Sequence, residues 1–307
     1  MLPIVYHPHY QIPLRKREEA RVGLSKYGHL KILLEREGLL APGGYPAPAE
    51  ATERQLSLAH DPDYVARVLD LRLTEAETRA IGLPNHPDVA RRSRLTSSGS
   101  LLAAWLAMES GIACNAAGGS HHAAAGRGAG FCVFNDVAVA AANLLAQGVP
   151  GPILIVDADV HQGDGTARIF ADEPRVFTLS VHAARNFPAR KATSDLDIAL
   201  DDGTGDTAFR EALAGGLAKA IEACRPNLAF YNAGVDVWGE DRLGRLALSL
   251  DGIRARDRLV LTTLRQAGIP VACVLGGGYG ETDEVAGRHL ILFQEAARLS
   301  GSDPSTV

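Results

Sequence analysis

The sequence predicts an α/β protein with one central, mostly parallel β-sheet and helices on both faces of that sheet. Short apolar runs recur along the 307-residue chain, each ending in glycine, aspartate or histidine, and long amphipathic stretches separate them. Buried parallel strands connected by helices have this pattern. Because the sequence shows no internal repeat and no central linker, we expect a single domain over residues 1–307.

The elements follow from the same alternation. The clearest strands are predicted at 153–157, 176–182, 228–232 and 271–275. Helices are predicted at 26–37, 97–110, 136–147, 207–224, 253–267 and 283–299. Gly38 and Gly148 directly follow two of these helices, as helix-ending glycines do. In an open parallel sheet, ligands bind beyond the carboxyl ends of the strands, so the residues after each strand are the candidates for function.

Composition excludes several classes of function. The chain is 46% hydrophobic and 22% charged, with no apolar run long enough to cross a bilayer and no signal-peptide pattern, so a soluble, cytoplasmic protein is expected. The net charge of −5 argues against nucleic-acid binding. The basic cluster at 15–17 is followed by Glu18 and Glu19, which is typical of a solvated helix face. Four cysteines without a CxxC pair indicate neither a disulfide framework nor a zinc knuckle.

The strand at 153–157 leads into DADVHQGDG, the first candidate site. Asp157, Asp159 and His161 alternate there, so continued strand geometry would place all three on one side. Asp159 and His161 would then be close enough to share one metal ion. A single DxH pattern is more often a capped turn with a hydrogen-bonded histidine, so this interpretation needs support from elsewhere in the chain.

That support comes from the strand at 228–232, which Asp236 follows in AGVDVW. A carboxylate at this point is either a helix cap or a metal ligand. Two carboxylates and one imidazole, with room for water, form an open catalytic site for Zn²⁺, and the same donor set accepts Fe²⁺. A metal in such a site polarises a carbonyl and lowers the pKa of bound water.

Two glycine-rich segments contain further candidates. His121 and His122 are adjacent in GGSHHAAAGRGAGF. Considered without other evidence, they would be interpreted as exposed loop residues, but beside a metal they are candidates for acid/base catalysis. Asp157 and Asp164 are the natural partners to orient them. Tyr279 follows the last strand in LGGGYGE and could donate to a carbonyl oxygen. Neither segment fits the phosphate-binding pattern GxGxxG.

Eight segments together resemble the zinc-dependent histone deacetylase family of the arginase/deacetylase superfamily. In chain order they are GGSHHA, GFCVFNDVAVA, IVDADVHQGDGT, LSVHA, GTGD, NAGVD, EDRLG and LGGGY. The resemblance extends over about residues 3–295. HQG, YNAGVD and the opening LPIVYHPHY look most like the class IV branch and its bacterial relatives.

The resemblance implies the arginase/deacetylase fold and one catalytic Zn²⁺, with Asp159, His161 and Asp236 as its ligands. It also implies a structural K⁺ ion near Ser180, Val181 and the backbone around Asp157 to His161.

Roles in proton transfer come from the same resemblance. His122, backed by Asp164, would be the base and acid, and His121, backed by Asp157, would support it electrostatically. Tyr279 would donate to the substrate carbonyl.

Substrate contacts are implied at four positions. Phe131 and Phe187 match the aromatic walls of the family's acyl-lysine tunnel, Gly130 matches a backbone contact, and Leu243 matches an apolar rim residue. Gln162 stands where many members have a second histidine, and its side chain is expected to point away from a metal on His161.

The implied activity is hydrolysis of an acetyl or longer fatty acyl group from the ε-amine of lysine in a protein or peptide. Acetylpolyamines and other small acylated amines are the alternative substrates. A two-metal ureohydrolase would need a second carboxylate two residues after Asp236, where this chain has Trp238. A non-catalytic module that binds acylated amines is the remaining alternative.

Overall fold

A seven-stranded sheet lies at the centre of the protein, in a computed structural model that describes residues 1–15, 23–39 and 44–300. The strands are β1 (Ile4–Val5), β2 (Ile112–Asn115), β3 (Ile153–Asp157), β4 (Val176–Ala183), β5 (Leu196–Leu200), β6 (Leu228–Asn232) and β7 (Val271–Val274). Their order across the sheet is β1-β2-β7-β6-β3-β4-β5, and each neighbouring pair is parallel. The predicted fold class is therefore confirmed.

Helices flank this sheet. They are α1 (Lys26–Arg36), α2 (Glu53–Leu56), α3 (Pro62–Leu69), α4 (Glu75–Ile81), α5 (Pro87–Ser110), α6 (Asp136–Ala146), α7 (Asp164–Ile169), α8 (Asp206–Cys224), α9 (Leu250–Gln266) and α10 (Thr282–Leu299), with a short 3₁₀ helix at Pro8–Tyr10. The six predicted helices are all present. Five of them have ends within three residues of the prediction.

The exception is α5, which begins ten residues before the predicted start at 97. His86 caps this helix by accepting a hydrogen bond from the Asp88 N–H, and Pro87 follows it as the first helical residue. The polar first half stays helical because its hydroxyls bond back to the helix: Ser93 donates to the Val89 carbonyl and Ser97 to the Ser93 carbonyl. Such internal bonds are not visible in a hydrophobic pattern.

The predicted strands differ little from those observed: β4 extends one residue further than 182, and β7 ends one residue before 275. Three strands were not predicted. β1 has only two residues, β2 has four, and β5 lies at the sheet edge with alternating partly and fully exposed positions. Their pairing partners, distant in sequence, decide their conformation.

The strand register places the polar strand ends together. Asp157 at the end of β3 is directly opposite Asn232 on β6 and Ser180 on β4. β7 pairs with the other side of β6, so the residues that follow β3, β6 and β7 share one edge of the sheet. The candidate residues that follow these strands therefore meet where a parallel sheet normally binds its ligand.

Beneath that edge, β2, β3, β6 and β7 are completely buried and belong to one hydrophobic cluster. Cysteines 114, 132 and 273 are buried, Cys224 is half-buried, and all four are free. In the described ranges no helix is both long and apolar enough to span a membrane. Residues 16–19 of the predicted charged helix face lie outside those ranges.

Candidate active site

Three buried side chains converge beyond the ends of β3 and β6. One ligand atom from each of Asp159, His161 and Asp236 lies within 4.8 Å of the other two. His161 Nδ1 is 3.1 Å from Asp159 Oδ1 and 3.2 Å from Asp236 Oδ2. Apart from this ion-pair contact with His161, the buried Asp236 Oδ2 has no hydrogen-bond partner among the described residues, which is a costly state for a carboxylate oxygen and one that a bound cation would relieve. These residues fit a mononuclear metal centre.

The chain reaches this arrangement by turning, not by continuing as a strand. β3 ends at Asp157, whose Oδ1 accepts a hydrogen bond from the Asp159 N–H (3.2 Å). Asp159 Oδ1 in turn accepts from the His161 N–H (3.0 Å). The expectation that strand alternation aligns these three residues was therefore wrong beyond Asp157, although Asp159 and His161 do meet.

Backbone donors from neighbouring loops hold the two carboxylates. Asp159 Oδ2 accepts from the Gly277 N–H (2.7 Å), and Asp236 Oδ1 accepts from the Val160 N–H (3.0 Å). Each carboxylate thus keeps an orientation set by a different loop.

The pKa values reflect this crowding of charge. Burial and the charge of Asp159 raise the pKa of Asp236 to about 7. Burial alone would lower the pKa of His161, but its hydrogen bond with Asp159 and its close charge contacts with both carboxylates outweigh this and raise it to about 10. A divalent cation would replace the protons that these groups otherwise share.

Beside this cluster lies the pair of histidines. His121 Nδ1 is 2.6 Å from Asp157 Oδ2, His122 Nδ1 is 2.8 Å from Asp164 Oδ1, and the two ring centroids are 4.1 Å apart. Both predicted histidine–aspartate pairs are therefore present. Asp136 holds the loop that leads into them by accepting hydrogen bonds from the backbone N–H groups of residues 119 and 120.

The two histidines differ in charge. Burial opposes protonation of His121, but Asp157 and Asp159 outweigh it and raise its pKa to about 9. Burial and the charge of His121 lower the pKa of His122 to about 3. At neutral pH, His122 is thus a neutral imidazole that can accept a proton, and His121 is a fixed cation beside it.

Tyr279 lies on the other side of the cluster, with its ring centroid 6.4 Å from that of His161 and 5.9 Å from that of Phe131. Its backbone N–H donates to Asp241 Oδ2 (2.8 Å). Desolvation and the negative charge of Asp236 raise the pKa of the phenol well above its usual value. Tyr279 is therefore protonated near neutrality and has an O–H that it can donate.

The predicted substrate residues surround the same groups. The Phe187 ring meets the His122 ring edge to face at 4.7 Å and is 44% exposed. Leu243 is 40% exposed, and the Asn186 side chain donates to its carbonyl (2.9 Å), which ties it to the Phe187 segment. Gly130 has φ +54°, and a Cβ there would lie 2.6 Å from His122 Cδ2. Phe187 is therefore not a core residue, whereas Phe131 is partly buried and packs against the hydrophobic core.

A cavity of about 50 Å³, enough for a few water molecules, extends inward from His122 and Asp159 past Tyr279. Two buried cations line it, Lys26 and Arg92. Lys26 Nζ donates to the Gly278 carbonyl (3.3 Å), and the Arg92 guanidinium lies 4.8 Å from the centre of the Tyr27 ring. The sequence analysis missed both cations, which lie in helices without any motif.

Comparison with known proteins agrees with this geometry. A family profile described as "Histone deacetylase domain" matches residues 24–291. The chain belongs to the histone deacetylase family. Membership of this family supports an amidohydrolase activity of the deacetylase type. Placement in the class IV branch stays a prediction.

Individual relatives extend over most of the chain. Histone deacetylase 2 of Arabidopsis thaliana is 32% identical over 90% of this chain and 74% of its own length. The acetoin utilization protein AcuC of Bacillus subtilis is 30% identical over 90% and 76%. An uncharacterized protein of Picosynechococcus is 45% identical over 96% and 98%. The crystal structure of the HDA15 HD domain has the same fold, with a TM-score of 0.79 and 19% identity over 98% of this chain and 90% of that one.

Two further polar residues of this histone deacetylase family member belong to the site, although no role was predicted for them. Asn232 Nδ2 donates to Asp157 Oδ1 (3.0 Å), and Asp241 accepts from the backbone N–H groups of Leu243 and Tyr279. Both lie inside family segments, NAGVD and EDRLG, so a signal was present. The missing information was which neighbour each side chain contacts.

The departures from the family pattern are also explained. Gln162 donates to the Ala192 carbonyl (3.0 Å) and to Asp197 (2.8 Å), so it points away from the metal cluster as predicted. Trp238 packs against Arg288, whose guanidinium lies 4.1 Å from its ring centre. The position where a two-metal site would need a second carboxylate is thus occupied by Trp238, whose ring contacts Arg288. That the site binds a single metal stays a prediction.

Proposed function

We propose that the protein is a Zn²⁺-dependent deacylase that hydrolyses the amide of an acylated lysine side chain in a protein or peptide. The observation that carries this proposal is the buried Asp159–His161–Asp236 cluster with the neutral His122 and the protonated Tyr279 beside it. A base and an oxyanion donor beside one metal centre are the parts that amide hydrolysis needs.

Asp159, His161 and Asp236 would hold the metal, and the burial of Asp236 Oδ2 without a hydrogen bond from the described residues supports this assignment. Zn²⁺ in such a site polarises the substrate carbonyl and lowers the pKa of a bound water. The same donor set accepts Fe²⁺.

His122 transfers the proton. Because Asp164 receives the N–H of Nδ1, Nε2 of the neutral ring is the nitrogen that accepts a proton from the attacking water. The same proton then goes to the lysine nitrogen as the C–N bond breaks, which yields a carboxylic acid and a free amine. The acid passes its remaining proton to the more basic amine, so the products leave as a carboxylate and an ammonium ion. His121, cationic and paired with Asp157, stays protonated and stabilises the negative charge that develops nearby.

Tyr279 stabilises the carbonyl oxygen. Its phenol keeps a proton because its pKa is raised, so it can donate a hydrogen bond to the oxygen as negative charge builds up in the tetrahedral intermediate.

The walls of the site fit an apolar stem and a short acyl group. Phe131, Phe187 and Leu243 offer apolar contacts to the methylenes of lysine, and Gly130 leaves space beside His122. The inner cavity, at about 50 Å³, favours acetyl over long acyl chains. Lys26 and Arg92, the two cations that line it, are opposite in charge to the carboxylate that hydrolysis releases there.

Two further parts of the proposal are a structural ion and a cellular location. Ser180 is buried opposite Asp157 in the sheet, which supports a structural K⁺ ion at these strand ends, although its hydroxyl also lies 2.9 Å from His182 Nδ1. We place the protein in the cytoplasm.

One substrate panel tests the proposal. Acetyl-, butyryl- and myristoyl-lysine peptides and acetylated polyamines are each incubated with the enzyme, with and without chelator. Fastest hydrolysis of acetyl-lysine peptide, abolished by chelator and restored by Zn²⁺, supports it. Hydrolysis of polyamines alone would establish the small-amine alternative, and binding without turnover would establish a binding module. Two tightly bound divalent ions per chain in metal analysis would contradict the single-metal centre.

A further inference from the structure

An arginine is completely buried beneath the candidate metal centre. Arg256 on α9 is 1% exposed, and its guanidinium donates to backbone carbonyls only a few residues from the proposed ligands. Nη1 donates to the carbonyls of Ala158 (3.2 Å) and Gly234, and Nη2 lies 3.4 Å from the carbonyl of Ala233.

These carbonyls come from two separate loops. Ala158 directly precedes the ligand Asp159 in the loop after β3, and Gly234 lies two residues before the ligand Asp236 in the loop after β6. A single Nη1 group thus bonds to both ligand-bearing loops. The planar guanidinium holds several donors in fixed directions, which a lysine ammonium on a flexible stem cannot reproduce.

The guanidinium is itself held in place. Asp257 Oδ1 lies 2.8 Å from Nη2 and 2.9 Å from Nε of Arg256, and it also accepts a hydrogen bond from the Tyr231 hydroxyl (2.6 Å). Tyr231 belongs to β6, the strand that leads into the second loop. The side-chain contacts from Tyr231 through Asp257 to Arg256 therefore connect the sheet to both loops.

A buried ion pair contributes little net stability, because the cost of desolvating two charges offsets most of their attraction. The Arg256–Asp257 pair instead contributes by positioning, because it lies under the point where two loops must keep a fixed separation. We propose that Arg256 is a positioning residue that sets the distance between Asp159 and Asp236 and thereby the affinity and geometry of the metal centre. This inference rests on the metal centre of the proposed function.

The test compares Arg256→Met and Arg256→Lys with Arg258→Met as the matched control. Arg258 lies on the same helix but is paired with Glu295 and is half exposed. Chelator-treated proteins are titrated with Co²⁺, whose visible absorption reports coordination geometry, and Zn²⁺ affinity is measured by competition with a chelating indicator. Thermal melts of the same samples report folding.

We expect Arg256→Met to weaken metal binding about 10- to 100-fold and to change the Co²⁺ spectrum. Arg256→Lys should restore metal affinity only in part, because one ammonium cannot reproduce the fixed donor directions of the guanidinium. Arg258→Met should have the metal affinity and spectrum of the wild type. A folded Arg256→Met with wild-type affinity and spectrum would overturn the inference. Should that variant not fold, a wild-type spectrum and affinity in Arg256→Lys would overturn it equally.

Metal binding is measured without substrate, so the two proposals are separable. Wild-type protein that binds Co²⁺ but hydrolyses no acyl-lysine peptide would contradict the deacylase function, while the role of Arg256 would still be decided by the comparison of variants.

Discussion

His122 Nδ1 lies 2.8 Å from Asp164 Oδ1, and this contact determines which ring nitrogen is free for the proposed proton transfer. The carboxylate receives the Nδ1 proton, so the neutral imidazole presents an unprotonated Nε2. Because Asp164 is the first residue of α7, which follows the loop that contains Asp159 and His161, one continuous segment positions the proposed base and two of the three proposed metal ligands.

Asp164→Ala should therefore lower kcat without removing the metal. Loss of an orienting carboxylate typically costs about 10- to 100-fold. His122→Ala should cost more, because it removes the proton acceptor itself. Steady-state kinetics on acetyl-lysine peptide and metal analysis of the same samples check both. Normal rates in His122→Ala would show that another group transfers the proton.

Tyr279→Phe should reduce kcat by about 100- to 1,000-fold, the usual cost of losing one oxyanion donor. KM and metal content should change little, because the hydroxyl acts on charge that appears only during the reaction. Retention of more than half of the wild-type kcat would argue against this role.

Asp236→Ala should abolish tight metal binding, because it removes one of three proposed ligands, including a buried oxygen that accepts no hydrogen bond from the described residues. Asp241→Asn is the control: Asp241 is an acidic neighbour that bonds to backbone N–H groups, not a ligand. Metal analysis after gel filtration should find zinc in the control and not in Asp236→Ala. Equal zinc in both variants would mean that the ligand set is different.

Gly130→Ala should lower kcat/KM. The backbone there has φ +54°, which side-chain-bearing residues rarely adopt, and the added methyl would lie 2.6 Å from His122 Cδ2 and 3.3 Å from Phe187 Cε1. The substitution therefore displaces the proposed base or the aromatic wall. Peptide kinetics measure the effect, and thermal melting shows whether the loss is local. Unchanged kcat/KM in Gly130→Ala would mean that neither group contributes at this position.

His60 should make the protein less stable in acid. Its Nε2 accepts the Asn135 N–H (2.9 Å) and its Nδ1 lies 3.0 Å from the Ala124 carbonyl, so the neutral ring connects two active-site segments. Burial lowers its pKa from 6.5 to about 4. Between these values the unfolded chain binds a proton that the folded protein does not, so this stabilisation is complete above pH 6.5 and is lost as pH falls towards 4.

His60→Gln tests that expectation. The free energy of unfolding of wild type, relative to the variant, should fall by about 1.4 kcal/mol per pH unit below pH 6.5, or about 3 kcal/mol over the whole interval. Urea denaturation of the two chelator-treated proteins at several pH values measures the difference. Parallel pH profiles would show that His60 does not contribute.

Part of this molecule was predictable because the relevant signals are local. β3, β6 and β7 are apolar runs that begin after proline or asparagine and lead into aspartate, asparagine or glycine, and the candidate ligands, histidines and tyrosine lie directly after strands or in family segments. The prediction was less successful where long-range pairing decides the structure. Strands β1, β2 and β5 are too short or too exposed to have a pattern of their own, and Asp159 and His161 meet through a turn whose hydrogen bonds no periodicity indicates.

The fold class, the family and the set of residues that could perform the chemistry were visible in the amino-acid sequence, because they depend on residue type and local order. The charge states of these residues depend on the three-dimensional arrangement. His122 is neutral and His121 is charged because burial and neighbouring carboxylates act on them differently, at distances set by the sheet register. The tertiary structure also brought Lys26, Arg92 and Arg256 to the site from helices without a motif, since a buried charge depends on neighbours that are distant in sequence.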